Sequence, residues 1–371
     1  MARRLKIFMP RLLDRDQKNA QNLNAKSLLP YLSDRLDIIS FGYGEVDEGI
    51  SKRCKIIQLL RSRLFQYQIL IRYLFPCDAI FYPGHEWYDA WGLKIRKLLK
   101  IPGVVISTLE GIPWLDASQK KELEEAVGHE IHSQSFSASK YYLQVLSMAD
   151  HVVAISPFLA VVGKYLFGNK FTVIPLGLSN AIFFPEDSDE EKARPIIICA
   201  GTIYELKRPG SFVALAEAIP TASFAWYGGG RGQLKEQLQE YIQDKKINNI
   251  DFKGDVSPDE LAGALRGADL FVLPSRSEGV PKVSQEAAAC GLPIVLFGHY
   301  ESPSLVNGEN GLQVWDDDEL LEAVSGLMND PIKRVEMGQK GSEMAKKLSW
   351  DSVAPRWVDK IMILLKQRSV C

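Results

Sequence analysis

Short apolar runs recur along this chain, with room for one helix between most of them. In the first half they are Lys6–Met9, Asp37–Phe41, Ala79–Tyr82, Val104–Ser107, His151–Ile155 and Lys170–Ile174. In the second half they are Ile196–Ala200, Ser223–Tyr227, Ile250–Lys253, Leu270–Leu273 and Ile294–Phe297. Helical patterns fit between them, for example at Gly210–Ile219, Gly232–Asp244 and Ser257–Arg266. Alternating β and α units imply an α/β chain with parallel sheets covered on both faces. With 371 residues the chain is too long for one comfortable core, which predicts two domains. The acidic, proline-bracketed stretch FPEDSDEEKARP, residues 184–195, suits the linker between them.

The most informative single stretch runs from Asp269 to Pro293, DLFVLPSRSEGVPKVSQEAAACGLP. Leu270 to Pro274 reads as a buried strand and Ser275 to Val280 as a loop. Pro281 suits the first helical position, where its missing N–H needs no partner. Gly291 and Pro293 stop the helix. Glu278 is then expected at the carboxyl end of the strand, and Glu286 over one turn into the helix. The N–H groups of Lys282 and Val283 lie between them, at a helix start that attracts anions. Two hydroxyl-binding carboxylates around a phosphate site describe a pocket for a nucleotide sugar.

Other strand ends carry chemistry too. After Ile196–Ala200 comes GTIYELKRPG, in which Gly201 permits a tight turn and Lys207 and Arg208 follow. The glycines of WYGGGRG, residues 226–232, lie between a strand and a helix but lack the full dinucleotide spacing. His85, in YPGHEWYDAWG, and Glu110, in STLEGIPW, fall just past strands of the first half. The first βα loop has no glycine, so Gln21, Asn22 and Asn24 are its candidate donors.

The EGVP…E…GLP spacing resembles the signature of retaining GT-B glycosyltransferases of the GT4 type, the group 1 glycosyl transferases. TVIPLGLSNAIFFP and the tail LSWDSVAPRWVDKIMILLK fall where that family has its domain entry and last helix. The resemblance implies two Rossmann-like domains with parallel sheets facing across a cleft. It implies an acceptor domain at 1–184, a donor domain at 185–354, and a helix at 355–371 crossing back to the first domain. It further implies metal-independent transfer from a nucleotide sugar, a substrate rather than a cofactor, to an acceptor hydroxyl. Carried over, Glu278 contacts the donor sugar and Glu286 the ribose hydroxyls. Gly279, Val280, Pro281, Lys282 and Val283 line the diphosphate, and Lys207 grips it beside Gly201. Thr202 stands where the family has Arg, which halves the positive charge unless Arg208 or Arg231 compensates. Gly229 falls near the diphosphate, and the backbone at Lys253 near the base. Glu110 stands where the family often has His, so Glu110 and His85 join Glu278 and Lys207 as candidates for the reacting centre. Family frequency favours a UDP-sugar over GDP-mannose. A lipid-linked or polysaccharide precursor is the expected acceptor class. A scaffold without transfer activity and a GT-B sugar-nucleotide epimerase are the competing classes.

Charge adds an asymmetry. Residues 1–180 hold 23 Lys and Arg against 17 Asp and Glu, and the remainder holds 21 against 29. The basic first half suggests a surface that meets something anionic. Lys52–Phe75, KRCKIIQLLRSRLFQYQILIRYLF, interleaves cations with large apolar residues. It reads as a helix packed on its sheet with snorkelling cations, a reading that can coexist with contact to an anionic membrane surface. No apolar span is long enough to cross a membrane. Five scattered cysteines in no metal-ligand spacing suit a reducing compartment. A cytoplasmic protein at the inner membrane face is therefore expected, with no nucleic-acid partner. His129 and His132 share a helical spacing but have no third ligand nearby in sequence, so no metal site is expected.

Overall fold

The computed structural model describes residues 4–14, 20–60, 64–133, 136–168, 171–186, 194–230 and 233–368. The chain divides into two compact units. Unit one comprises Met1–Leu123, Ser133–Gly177 and Trp350–Cys371; unit two comprises Glu124–His132 and Leu178–Ser349.

Unit one is built on strands β1 (Lys6–Leu12), β2 (Asp37–Gly42), β3 (Lys55–Gln58), β4 (Ala79–Phe81), β5 (Val104–Leu109), β6 (His151–Ala154) and β7 (Phe171–Val173). They form one parallel sheet in the order β3-β2-β1-β4-β5-β6-β7. Unit two holds β8 (Ile196–Ala200), β9 (Ser223–Tyr227), β10 (Ile250–Gly254), β11 (Leu270–Leu273), β12 (Ile294–Phe297) and β13 (Gly311–Val314). Its parallel order is β10-β9-β8-β11-β12-β13. Each sheet reverses its strand order once, between β1 and β4 in unit one and between β8 and β11 in unit two. Loops leave such a reversal on opposite sides, opening a crevice beyond the strand ends where ligands bind. These two places position the candidate sites.

Burial explains the strands. Every residue of β4, β5, β6, β11 and β12 is buried, as central strands with helices on both faces must be. In unit two the fully buried Trp226 and Phe224 meet Phe212 edge-on, with ring centroids 5.5 and 5.4 Å away. The Trp226 Nε1–H donates to the Gly201 carbonyl at 2.8 Å, so a core ring also anchors the loop after β8. The helix Pro258–Arg266 starts on a Ser257/Glu260 capping box with Pro258 in its first turn.

The last helix, Trp350–Arg368, belongs to unit one. Its Trp357 is buried, donates from Nε1 to the Pro175 carbonyl at 2.9 Å and meets the Phe81 ring at 6.0 Å. Tyr31 binds Asp351 at 2.6 Å.

Two strands escaped the sequence reading, β3 and β13, and both are sheet edges. The first also corrects the stretch Lys52–Phe75, which is not one amphipathic helix. A short helix Glu48–Ser51 precedes it, β3 follows, and only Phe65–Arg72 is helical. Arg61 and Arg63 lie outside the described residues, as do most of the acidic linker, Lys170, Arg231 and Cys371. Cys54, Cys77, Cys199 and Cys290 are buried free thiols. Among the described residues no helix is long and apolar enough to cross a membrane.

Candidate active site

At the reversal in unit two, β8 ends at Ala200 and its neighbour β11 at Leu273, so their loops leave side by side. The β8 loop makes a 3₁₀ turn at Glu205–Lys207, and Arg208 takes a left-handed backbone (φ 50°) before Pro209 opens the helix Pro209–Ala218. The Arg276 N–H donates to the Leu206 carbonyl at 2.9 Å, tying the two loops together. Across that tie Lys207 Nζ meets Glu278 Oε1 at 2.5 Å, and each side chain is only 12% exposed. Burial is the largest single influence and would depress the Lys207 pKa, but the Glu278 charge and hydrogen bond, with smaller help from Tyr204 and Cys199, together hold it above the usual lysine range. The ammonium therefore stays charged in a water-poor site.

The helix Lys282–Ala289 starts just beyond. Pro281 is its N-cap, one residue earlier than expected, because ψ 95° leaves it extended. First-turn amides of a helix have no intrahelical acceptor and favour an anion in front of them. Glu286 lies one turn in and is half-buried. Burial raises its pKa, and Lys282 partly opposes the rise.

The glycine loop closes against the same place. Gly228 has φ 131°, and a Cβ there would collide with the Gly201 carbonyl. Gly201 itself has φ 146° and faces the Lys207 side chain. The Gly229 N–H, expected near the diphosphate, donates to Asp255 at 2.6 Å. Arg208 is engaged by Asp317 and lies over the Phe297 ring at 4.7 Å. Lys253 is exposed on its side chain and pairs with Asp251. Thr202 is exposed, and Gly279, Val280, Lys282 and Val283 are half-buried around the helix start. Lys207 is thus the expected cation that the fold sets beside Glu278.

Two residues went unnoticed in the sequence. Ser275 and Tyr300 are fully buried, and among the described residues their hydroxyls have no partner. Burial and then the nearby Glu278 charge push the Tyr300 pKa far up. Their signal was positional, since each follows a strand neighbouring the reversal.

Unit one gathers a second polar cluster at its own reversal. Arg11, 7% exposed, donates to Gln21 Oε1 at 2.7 Å and to the Pro83 carbonyl at 3.0 Å. Its guanidinium lies 4.2 Å from the Tyr82 ring centroid, and Tyr82 has a left-handed φ of 59°. His85 packs on Tyr142 with ring centroids 4.1 Å apart and the rings tilted by 39°, and the Tyr142 hydroxyl accepts the Glu110 N–H at 2.9 Å. Thr108 donates to Glu110 Oε1 at 2.9 Å. His85 and Glu110 therefore share one cluster. His129 and His132 belong to unit two, where His129 meets Glu301 at 3.0 Å and His132 packs on His299 at 5.3 Å. Among the described residues no three His, Cys, Asp or Glu are arranged to hold a metal.

Burial, and then the Arg11 charge, hold the His85 pKa down at about 3. The ring is neutral at neutral pH and exchanges hydrogen bonds rather than protons. His151, likewise buried, is held at about 4. In the unfolded chain both titrate near about 6.5. Below that pH the unfolded chain takes up protons that the folded chain refuses, so stability present above it is lost as pH falls towards these folded values. Unfolding free energies from urea titrations should fall as pH drops from about 6.5 to about 4, with a slope approaching about 1.4 kcal/mol per pH unit per histidine. His85→Gln should remove its share and leave that of His151; an unchanged slope would show that His85 titrates normally.

Residues 194–330 match the family described as glycosyl transferases group 1. An alpha-galactosylglucosyldiacylglycerol synthase of Streptococcus pneumoniae is 25% identical over 235 residues, 59% of this chain and 63% of that protein, a little under two thirds of its length. A GDP-mannose-dependent monoacylated alpha-(1-6)-phosphatidylinositol monomannoside mannosyltransferase of Corynebacterium glutamicum is 27% identical over 267 residues, 65% of this chain and 69% of that one. Among solved structures, a sucrose-phosphate synthase from Thermosynechococcus elongatus superposes with a TM-score of 0.78 at 18% identity, covering 98% of this chain and 100% of that one. HepE of Anabaena in complex with UDP-glucose gives 0.74 at 14% identity, covering 96% and 99%. Residues 194–330, within unit two, thus match a group 1 glycosyl transferase domain, and the chain as a whole has the GT-B fold of the solved glycosyltransferases.

Proposed function

We propose that the chain transfers a sugar from a nucleotide-sugar donor to an acceptor hydroxyl, retaining the anomeric configuration. The observation that carries this reading is the Lys207–Glu278 pair at the strand-order reversal, beside the start of the Lys282–Ala289 helix. A donor diphosphate competes with Glu278 for Lys207, and the helix amides take part of its charge. Glu278, released from the ammonium, accepts hydroxyls of the donor sugar. Glu286 accepts those of the ribose, which compensates the burial of its charge. As the sugar–phosphate bond breaks, negative charge grows where Lys207 and the helix start already point. The departing phosphate oxygen takes the acceptor proton on the same face, which retains configuration without a protein nucleophile.

In this scheme protein groups supply the leaving-group charge and no metal is required. Turnover in excess EDTA should stay within about twofold of its value without chelator. A larger loss, restored by a divalent ion, would remove this part of the mechanism.

We infer a UDP-sugar donor, supported by the UDP-glucose bound to the similarly folded HepE. Calorimetry with UDP and GDP, followed by hydrolysis of a panel of nucleotide sugars, tests the whole reading. Binding of UDP with turnover of a UDP-sugar supports it. Binding of GDP alone moves the donor to the GDP-mannose class of the Corynebacterium relative. Binding of neither leaves a scaffold without transfer, and release of an epimerised sugar nucleotide makes the chain an epimerase.

The acceptor falls to unit one, where Arg11, Tyr82, His85 and Glu110 cluster. We infer a lipid-linked acceptor at the cytoplasmic face of a membrane. Both curated relatives have a lipid in their names, diacylglycerol or phosphatidylinositol. Unit one also exposes Tyr67 and Ile71 on the helix Phe65–Arg72, and Trp91 and Leu98 on the helix Trp87–Leu98. The cations Lys94, Lys97 and Lys100 stand beside the latter pair in sequence. Such mixtures bind anionic interfaces.

A further inference from the structure

We infer that the trough between edge strand β3 and the helix Phe65–Arg72 in unit one binds one acyl chain of an anionic lipid. The inference rests on the lipid-surface reading above and names the place and the ligand. The trough is a cavity of about 420 Å³. Its floor is Ile39 and Phe41 of β2 with Ile57 and Leu59 of the β3 segment, and Phe41 lies opposite Ile57 in register. Ile71 and Phe75 form the other wall, and each is half exposed. A sheet face of this composition is ordinarily covered by a helix. Here the helix has only eight residues and packs on the helix Trp87–Leu98, so part of the floor stays open.

The chemistry of the walls selects the occupant. Gln68 is the uncharged polar side chain lining the trough, and its amide is used by the Leu60 backbone at 3.1 and 3.3 Å. A peptide would leave its own polar groups without partners there; a hydrocarbon chain has none to satisfy. Lys55 and Arg72 supply the charge. Arg72 lies 4.8 Å from the Phe75 ring centroid and 5.6 Å from that of Phe8, and among the described residues its buried Nε has no acceptor and no carboxylate pairs with it. Burial holds its pKa below the ordinary guanidinium range. An unneutralised guanidinium at the edge of an apolar trough suits the phosphate of a lipid head.

The test is calorimetric titration of the full chain with lysophosphatidylglycerols of octyl to tetradecyl chain, below the concentrations at which they form micelles. One-to-one binding is expected, tightening about fourfold per added methylene until the trough is full. Lysophosphatidylcholine should bind more weakly. Arg72→Gln should erase that head-group difference and keep the chain-length dependence. Ile71→Asp, at a half-exposed position that the fold tolerates, should weaken every lysolipid by about tenfold or more. Equal binding of chain-free glycerophosphoglycerol, absence of chain-length dependence, or unchanged affinity in Ile71→Asp would overturn the proposal. UDP binding measured on the same samples separates the two failures. Intact UDP binding without lysolipid binding defeats the trough alone, whereas lost UDP binding in the unaltered protein defeats the donor site.

Discussion

Lys207→Ala should lower kcat by about 10²–10³-fold, with a smaller change in the KM of the donor. In the resting site Lys207 is half of an ion pair; in the proposed reaction it is a side-chain cation that meets charge on the leaving diphosphate. Removing it takes away an interaction that strengthens as the bond breaks, so kcat carries the loss. A rise in KM with unchanged kcat would mean that Lys207 holds donor and transition state equally, and its role at the leaving group would be withdrawn. The pairing also predicts a stability signature. Lys207→Ala strands Glu278, whose side chain is 12% exposed, at a cost of about 1–3 kcal/mol. Adding Glu278→Gln should recover part of that loss, because the stranded charge is then gone. Strictly additive single and double variants would show that the two side chains do not interact in solution.

Gly228→Ala should destabilise unit two by about 2–4 kcal/mol and abolish donor binding at the same time. An alanine there must hold a φ of 131° and push its methyl group into the Gly201 carbonyl. Neither strain can relax cheaply, because Gly228 donates to the Gly254 carbonyl at 2.7 Å and Gly201 to the Tyr227 carbonyl at 2.8 Å. Gly254→Ala is the control. Its φ is 75° with open space around the missing Cβ, so only the left-handed backbone is penalised, by about 1–2 kcal/mol. Equal urea midpoints for the two variants would mean that the collision with Gly201 is not what the glycine avoids.

The central strands were legible because a strand buried on both faces must be apolar throughout. β8, β9, β11 and β12 run over the same residues in sequence and structure. β3 was not legible, because as an edge it buries none of its four residues fully and begins with a lysine. β13 is likewise an edge with two half-buried positions. The candidate site divides in the same way. Glu278 and Glu286 could be placed relative to each other because one loop and one helix turn separate them. The Lys207–Glu278 pair spans 71 positions and exists only because the strand order sets β8 beside β11. Asp255 at Gly229, Asp317 at Arg208 and the buried Tyr300 hydroxyl are likewise products of tertiary packing that no local pattern announces.

The membership of the last helix in unit one bears on how the protein is made. A ribosome finishes the contiguous body of unit two, up to Ser349, before it releases Trp350 onward. Until then the amino-terminal sheet lacks the Trp357 ring that meets Phe81 and the bond to the Pro175 carbonyl. The first unit to be synthesised is therefore the last to be completed. A premature stop late in the message would damage unit one and spare unit two, and chaperones would meet an open apolar face on the unit that emerged first.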